Sequence, residues 1–413
     1  MIGERVRSDV ERLAGGEPRG SGTPGEAAAA RLLCEMFIER GVEATIEQEQ
    51  AVAGFWLPTG LLAAAGAIAG MVGGERRRRR VAGALLAGCA ALLMADDVEN
   101  GPHLLRRLLP KRTTSNVLAW VGEPDAKQTL VLVAHHDAAH TGLLFHPGLV
   151  PLVNRIAPAW YEKQKTSAQT GRLLIAGPAL SALGCLSRSR ALRTAGAAWS
   201  AVTAALLADV ARAAVVDGAN DNLSAVAVLL ALAEEEAVRE ATGIRVLLLS
   251  TGSEETFMEG MRGFVARHRA RLDPNRTRFV ALECVGSPRL ILLEGEGMLR
   301  MHDYDGQLRQ EIQEAADETG IGLWRGLRLG AGGTDALPAM RAGYRAACLA
   351  GCTELKVPSN YHWPTDTVAN LSWGTVDEAR GVLARLISRA ADERTSAGEN
   401  ARAGGAAAGS EPR

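Results

Sequence analysis

The chain has 413 residues and a formal net charge of −1 at pH 7, from 46 Lys and Arg against 47 Asp and Glu. Near-neutral charge offers no field for a polyanion, and 4% aromatic residues are too few for a base-stacking surface, so no nucleic-acid partner is expected. A chain this long buries a large core, as one α/β domain or two smaller ones.

Met1 to Val10 reads MIGERVRSDV, charged and without the apolar centre of a secretory signal. Amphipathic helices are predicted near residues 3–13 and 25–40, and a strand over 43–48, where polar and apolar residues alternate. An Ala- and Gly-rich apolar run, 55–74, is separated by Glu75 and the arginines Arg76 to Arg80 from a second run, 81–95.

From Thr114 the texture changes to strand-like runs (SNVLAWV, TLVLVA, IRVLLLS, RFVALE, LILLE) separated by helical stretches such as 223–239 and 307–319. This alternation predicts an α/β fold with a mixed, largely parallel central sheet covered by helices on both faces. Another apolar pair, 173–186 and 194–210, is split by the basic SRSRALR. Residues 55–95 and 143–214 are therefore read as apolar helical hairpin insertions into one catalytic domain formed by 1–54, 96–142 and 215–391. A last helix is expected over 376–390, followed by a disordered Ala/Gly/Ser-rich tail, 392–413.

The apolar runs admit two readings. They attach the chain to a membrane through up to four helices, or they pack as hairpins on the catalytic domain or at a contact between two copies. A mean hydropathy of +0.01 beside such a polar remainder favours membrane attachment over a cytoplasmic location. ERRRRR and SRSRALR place those tips inside by charge bias. Arg106, Arg107, Lys111 and Arg112 flank the opposite end, which leaves the side of the catalytic domain open. The six cysteines (Cys34, Cys89, Cys185, Cys284, Cys348, Cys352) form no C-x-x-C and read as buried thiols; Cys348 and Cys352 pair only in an oxidising compartment.

Five motifs carry chemistry. The strand ending in His135-His136-Asp137 puts residues i and i+2 on one face, so Asp137 is placed to orient His135, while His136 turns away as a packing residue. Gly218-Ala219-Asn220-Asp221-Asn222 presents one acid before a helix, either to bridge two cations or as an ordinary cap. Glu254 and Glu255 follow an apolar strand, where adjacent carboxylates diverge; they divide metal binding from proton transfer, or form a solvated acidic pair at a helix start. Glu283 ends another apolar strand, and His362 lies in the loop NYHWPTDT before the last helix. Strand ends are where open α/β sheets bind ligands.

In this order, His135, Asp221, Glu254-Glu255, Glu283 and His362 resemble the co-catalytic zinc aminopeptidases of the bacterial leucyl aminopeptidase type, relatives of glutamate carboxypeptidase II and glutaminyl cyclase. HHDAAH, GANDNLSAVAVLLALAE, STGSEET, GGTDALPAMRAGY and NYHWPTDT carry the resemblance. It implies a zinc exopeptidase-like fold, two zinc ions and peptide or aminoacyl substrates. His135 and Glu283 would hold one ion and Glu255 and His362 the other, with Asp221 bridging. Glu254 would be the general base, Asp137 the residue that orients His135, and Tyr361 a support for the oxyanion. A cis peptide between Asp221 and Asn222 is also implied, and a homo-oligomer is compatible with the family.

The chain departs from the pattern at Glu283, one methylene longer than the usual Asp, which shifts the carboxylate by about 1.5 Å on an unchanged backbone. GGTDALP also lacks a histidine often found after its Asp. Two rival readings are a glutaminyl-cyclase-like acyltransferase using one zinc and a binding subunit without catalysis. Cobalt or manganese suit the same ligands.

Overall fold

The computed structural model describes residues 2–407, with side chains described to residue 391. The chain opens with α1 (Glu4–Ala14) and α2 (Pro24–Ile38). Thr23 caps α2 by accepting from the Glu26 amide, and Pro24 occupies its first turn, where no backbone donor is needed. Strand β1 (Glu43–Ala51) follows, then two long apolar helices, α3 (Trp56–Val72) and α4 (Arg77–Val98).

Strands β2 (Arg112–Gly122) and β3 (Gln128–His135) enter the main sheet before the chain leaves it again through α5 (Leu149–Ile156), α6 (Pro158–Glu162), α7 (Thr170–Leu186) and α8 (Arg190–Arg212). It returns as α9 (Ser224–Glu234), the short α10 (Glu236–Arg239), β4 (Ile244–Thr251) and α11 (Glu259–His268). The remainder comprises β5 (Thr277–Glu283), β6 (Arg289–Leu292), the small ribbon β7 (Gly295–Glu296) and β8 (His302–Asp303), α12 (Gly306–Thr319), α13 (Ala336–Arg341), β9 (Arg345–Cys352) and α14 (Trp373–Ala407).

The seven-stranded sheet has the order β1-β2-β4-β3-β5-β9-β6. Its centre, β4-β3-β5-β9, is parallel, and every pairing outside it is antiparallel. Val131 stands opposite both Leu247 and Phe279, and all three are fully buried, as expected of strands covered on both faces. α1, α2, α9, α12 and α14 cover one face; α11 and α13 cover the other. α9 is buried from Ser224 to Ala233, which explains its apolar character all round.

The predicted insertions join into one four-helix bundle. α3 packs on α4, α7 and α8, and α7 packs on α4 and α8. Small residues make most of the contacts between the bundle helices, with Leu62, Met94 and Leu207 buried among them, while many large apolar side chains face outward. A Cβ on Gly196 would lie 2.3 Å from the Ser181 amide nitrogen, so α7 and α8 approach at backbone contact. Met71, Leu85 and Leu92 on the outer faces are 69%, 64% and 74% exposed. The helices of the bundle join the catalytic fold at one end: Asp209 accepts from the Leu143 amide at 2.7 Å, and Thr170 donates to the Ala331 carbonyl at 2.8 Å. At the far end the tips meet, Gly73 beside Cys185 and Arg193.

Three expectations shift. Residues 143–169 are not apolar hairpin but a segment on the catalytic fold, with Thr166 bridging to Arg328 and Ser167 accepting from the Gly330 amide. α4 begins inside the arginine run, because arginine propagates a helix as well as leucine does. α14 continues past residue 390 to Ala407, so the tail expected from 392 is helical backbone to that point. Its end, 408–413, lies outside the described residues.

Candidate metal centre

Each candidate ligand stands where a strand or turn releases it at one end of the parallel strands. His135 closes β3 and Glu283 closes β5; Glu254 and Glu255 lie in the turn after β4, and His362 in the loop after β9. Asp221 lies in an irregular turn before α9, and the peptide joining it to Asn222 is cis.

The structure brings all five predicted ligands together. His135 Nε2 lies 3.2 Å from Asp221 Oδ1 and 3.5 Å from Glu283 Oε1. His362 Nε2 lies 3.0 Å from Asp221 Oδ2 and 3.3 Å from Glu255 Oε1. Each oxygen of Asp221 therefore faces a different histidine. Ligand atoms at zinc bonds of roughly 2.0–2.1 Å are separated by about 3.4 Å along a tetrahedral edge, so these spacings fit metal ligation. His135 Nε2 and Glu255 Oε1 are also buried without a hydrogen-bond partner, the state of donor atoms that serve a cation. Imidazole nitrogens and carboxylate oxygens suit zinc, and the longer Glu283 reaches the cluster without opening it.

Concentrated negative charge dominates the electrostatics. Burial, with Glu283 and Glu255 adding to it, pushes the Glu254 carboxyl well above the usual range despite the opposing pull of His135. Burial lifts Glu283 to about 7. Burial alone would lower His362, but Glu255 and Asp221 outweigh it and raise it to about 10. Buried carboxylates at this density demand a counter-charge, and protons supply it where metal does not.

Asp137 ties the site together. Its carbonyl oxygen lies 3.1 Å from His135 Nδ1, closer than its carboxylate at 3.5 Å. The carboxylate accepts from Ser21 Oγ at 2.6 Å, and from the Glu254 and Glu255 amides at 3.0 and 3.2 Å. One residue thus ties a histidine, through its carbonyl, to the glutamate turn, through its carboxylate. Tyr361 stacks flat on His362, with ring centroids 3.9 Å apart, and faces the cavity. His136 turns away, as expected, and pairs with Ser250 Oγ at 3.0 Å.

Several residues escaped the sequence reading. Asp366 accepts from the Asn220 and Asp221 amides at 2.6 and 3.1 Å and so holds the Asp221 turn. It stood inside the quoted NYHWPTDT, four residues after His362, yet nothing in the sequence says which turn it reaches. Buried Arg19 donates to the His136, Asp217 and Gly218 carbonyls, joining two ligand-bearing loops from far away in the chain. Cys284, classed with the buried thiols, has its Sγ 3.5 Å from Glu283 Oε1. Phe145, from the inserted segment, packs edge-on against His362 at 4.4 Å.

Residues 199–387 match the model of peptidase family M28, a span that includes Asp221, Glu254, Glu255, Glu283 and His362 and omits His135. Among solved structures, the chain is similar to an aminopeptidase from Aneurinibacillus sp. strain AM-1 (TM-score 0.53, 14% identity, covering 94% of this chain and 93% of that one). It is likewise similar to BSAP, a zinc aminopeptidase from Bacillus subtilis (0.52, 14%, 94% of that chain), and to a Bacteroides thetaiotaomicron glutaminyl cyclase (0.52, 13%, 96% of that chain); each match covers 93% of this chain. No curated protein matches the sequence.

Proposed function

We propose, from the premise that this chain is a zinc metallopeptidase of the M28 type, that it is an aminopeptidase using two zinc ions. The observation that carries the reading is Asp221, with one oxygen 3.2 Å from His135 and the other 3.0 Å from His362. His135 and Glu283 would hold one ion, Glu255 and His362 the other, and Asp221 both. Bound zinc supplies Lewis acidity towards a carbonyl and lowers the pKa of water.

The chain's own residues do the rest. Glu254 is 3.9 Å from His135 and buried, placed to take a proton from water and hand it to the leaving amine. Asp137 fixes both Glu254 and His135, so donor and acceptor keep their spacing. Tyr361 is placed over His362 to support a developing oxyanion.

The test is to incubate zinc-loaded protein with aminoacyl amides, their N-acetylated forms and glutaminyl peptides, with elemental analysis alongside. Two zinc ions per chain and hydrolysis confined to free amines are expected. A single zinc with cyclisation of N-terminal glutamine, the reading that the glutaminyl cyclase likeness keeps alive, would replace it.

We also infer that the four-helix bundle attaches the enzyme to a membrane. α4 and α8 are long and apolar enough to cross a bilayer, while α3 and α7 are shorter at 17 residues each. The inverted packing, small residues inward and Met71, Leu85 and Leu92 outward, supports lipid as the surroundings. α5 adds exposed Leu149, Leu152, Val153 and Ile156 on a short amphipathic helix. Activity is expected in the membrane pellet after a high-salt, alkaline wash and in solution only after detergent. Active enzyme in the wash would refute attachment.

A further inference from the structure

The cavity that reaches Glu254, Glu255 and His362 does not close behind them. It has a volume of about 970 Å³ and continues between the catalytic fold and the bundle, along one stripe of α8: Ala195, Ala198, Trp199, Val202 and Leu206. That stripe is about 16 Å long at about 1.5 Å per residue. Its wall is fixed, because Trp199 Nε1 donates to the Leu173 carbonyl on α7 at 2.8 Å. Val202 and Trp199 are 61% and 45% exposed, so the groove is open to whatever surrounds the bundle. Phe145, Leu149 and Val150 line the other side.

Two features narrow the occupant. Along that stripe the walls are apolar, with Leu149, Val150, Leu173, Trp199, Val202 and Leu206 facing the groove, which suits an extended alkyl chain about as long as the stripe. Among the described residues, no Lys or Arg lines the cavity, and its charged groups are Glu254 and Glu255 with His146 and His362. A substrate carboxylate held away from the metals would find no Lys or Arg to pair with, and the free α-amino group is taken from the aminopeptidase reading. We propose that this site hydrolyses amides that carry a free α-amino group and a long linear alkyl chain, the chain lying along α8. The inference rests on the aminopeptidase reading above. In the reaction the amide C–N bond breaks, the oxygen of water joins the acyl carbon and its proton goes to the leaving amine. Lipid-modified peptides and simple aminoacyl alkylamides share this chemistry.

The experiment uses the detergent-solubilised full chain and leucyl n-alkylamides of about four to ten carbons, below their micelle concentrations, beside N-acyl amino acids of matching length. Each methylene buried in the groove is expected to raise kcat/KM by about fourfold at most. Val202→Trp, which fills the groove while staying apolar, and Val202→Asp are both expected to flatten the ratio of long-chain to short-chain rates. A lipopeptide arm, a leucyl peptide with an alkylated cysteine run beside the simple alkylamides, tells the two substrate sources apart.

A flat chain-length series in a protein that cleaves leucyl p-nitroanilide would overturn the proposal and leave the aminopeptidase reading intact, whereas preference for the N-acyl amino acids would overturn both. A second measurement does not depend on turnover: binding of fluorescent alkylamines to zinc-loaded protein. Affinity that rises with chain length and falls in Val202→Trp upholds the groove even where peptidase activity fails. Affinity indifferent to both removes it.

Discussion

Glu254→Gln is expected to lower kcat by about 10³-fold, within the 10²–10⁴-fold usual for a lost general base, with zinc content unchanged. The glutamine keeps the shape of the side chain, and its backbone amide still donates to Asp137 at 3.0 Å. None of the five proposed ligands is altered. What disappears is the site for a proton at a position 3.9 Å from His135. Steady-state kinetics on leucyl p-nitroanilide with parallel metal analysis decides the matter. A variant within threefold of the parent would remove Glu254 from proton transfer, and one that had lost zinc would make it a ligand instead.

Arg106→Met should unfold the protein more easily by about 3–5 kcal/mol, the cost of stranding buried carboxylates. Arg106 is 1% exposed. It bonds both oxygens of Asp97 at the end of α4, Glu259 Oε2 on α11 at 2.9 Å, and the carbonyl of Thr256. Its guanidinium also lies 5.2 Å over the Phe257 ring. One residue therefore joins the base of the bundle to the turn that carries Glu254 and Glu255. Glu259 keeps Lys111 and the Val52 amide as partners, so Asp97 is the group left exposed to the loss. Pairing Arg106→Met with Asp97→Leu should recover a good part of the stability, because two apolar groups replace an orphaned charge. Denaturant melts of the three variants in detergent test this; a single variant within about 1 kcal/mol of the parent would show the node to be idle.

Much of the site could be read from the sequence because strand ends announce themselves. Apolar β-branched runs stop abruptly at His135 and Glu283, and an acid or imidazole that follows such a run has few other uses. Asp221 was readable only through its neighbours, since the same turn serves as a helix start. The parallel centre of the sheet was legible for the same reason as the strands, while the antiparallel flanks depend on long-range pairing that no local pattern records.

Other parts were hidden for physical reasons. Arg19 and Asp366 act through backbone groups of distant loops, and a hydrogen bond to a carbonyl or amide leaves no trace in the partner's identity. The apolar runs showed composition but not arrangement. Small residues at Gly196, Ser181 and Ser200 predict close helices without saying which helices meet. The segment 143–169 was counted with the hairpins because it lies between them, yet Phe145 and Ser167 bind it to the catalytic fold.

The bundle has one consequence for the life of the enzyme. Its helices come from two separate places in the chain, α3 with α4 and α7 with α8, and each pair leaves the catalytic fold and comes back to it. If the bundle is seated in a membrane as proposed, a protease that nicked either tip would free nothing, because the other pair would still moor the peptidase. On that reading, release by a single cut, the common fate of a domain held on a stalk, is closed to this molecule.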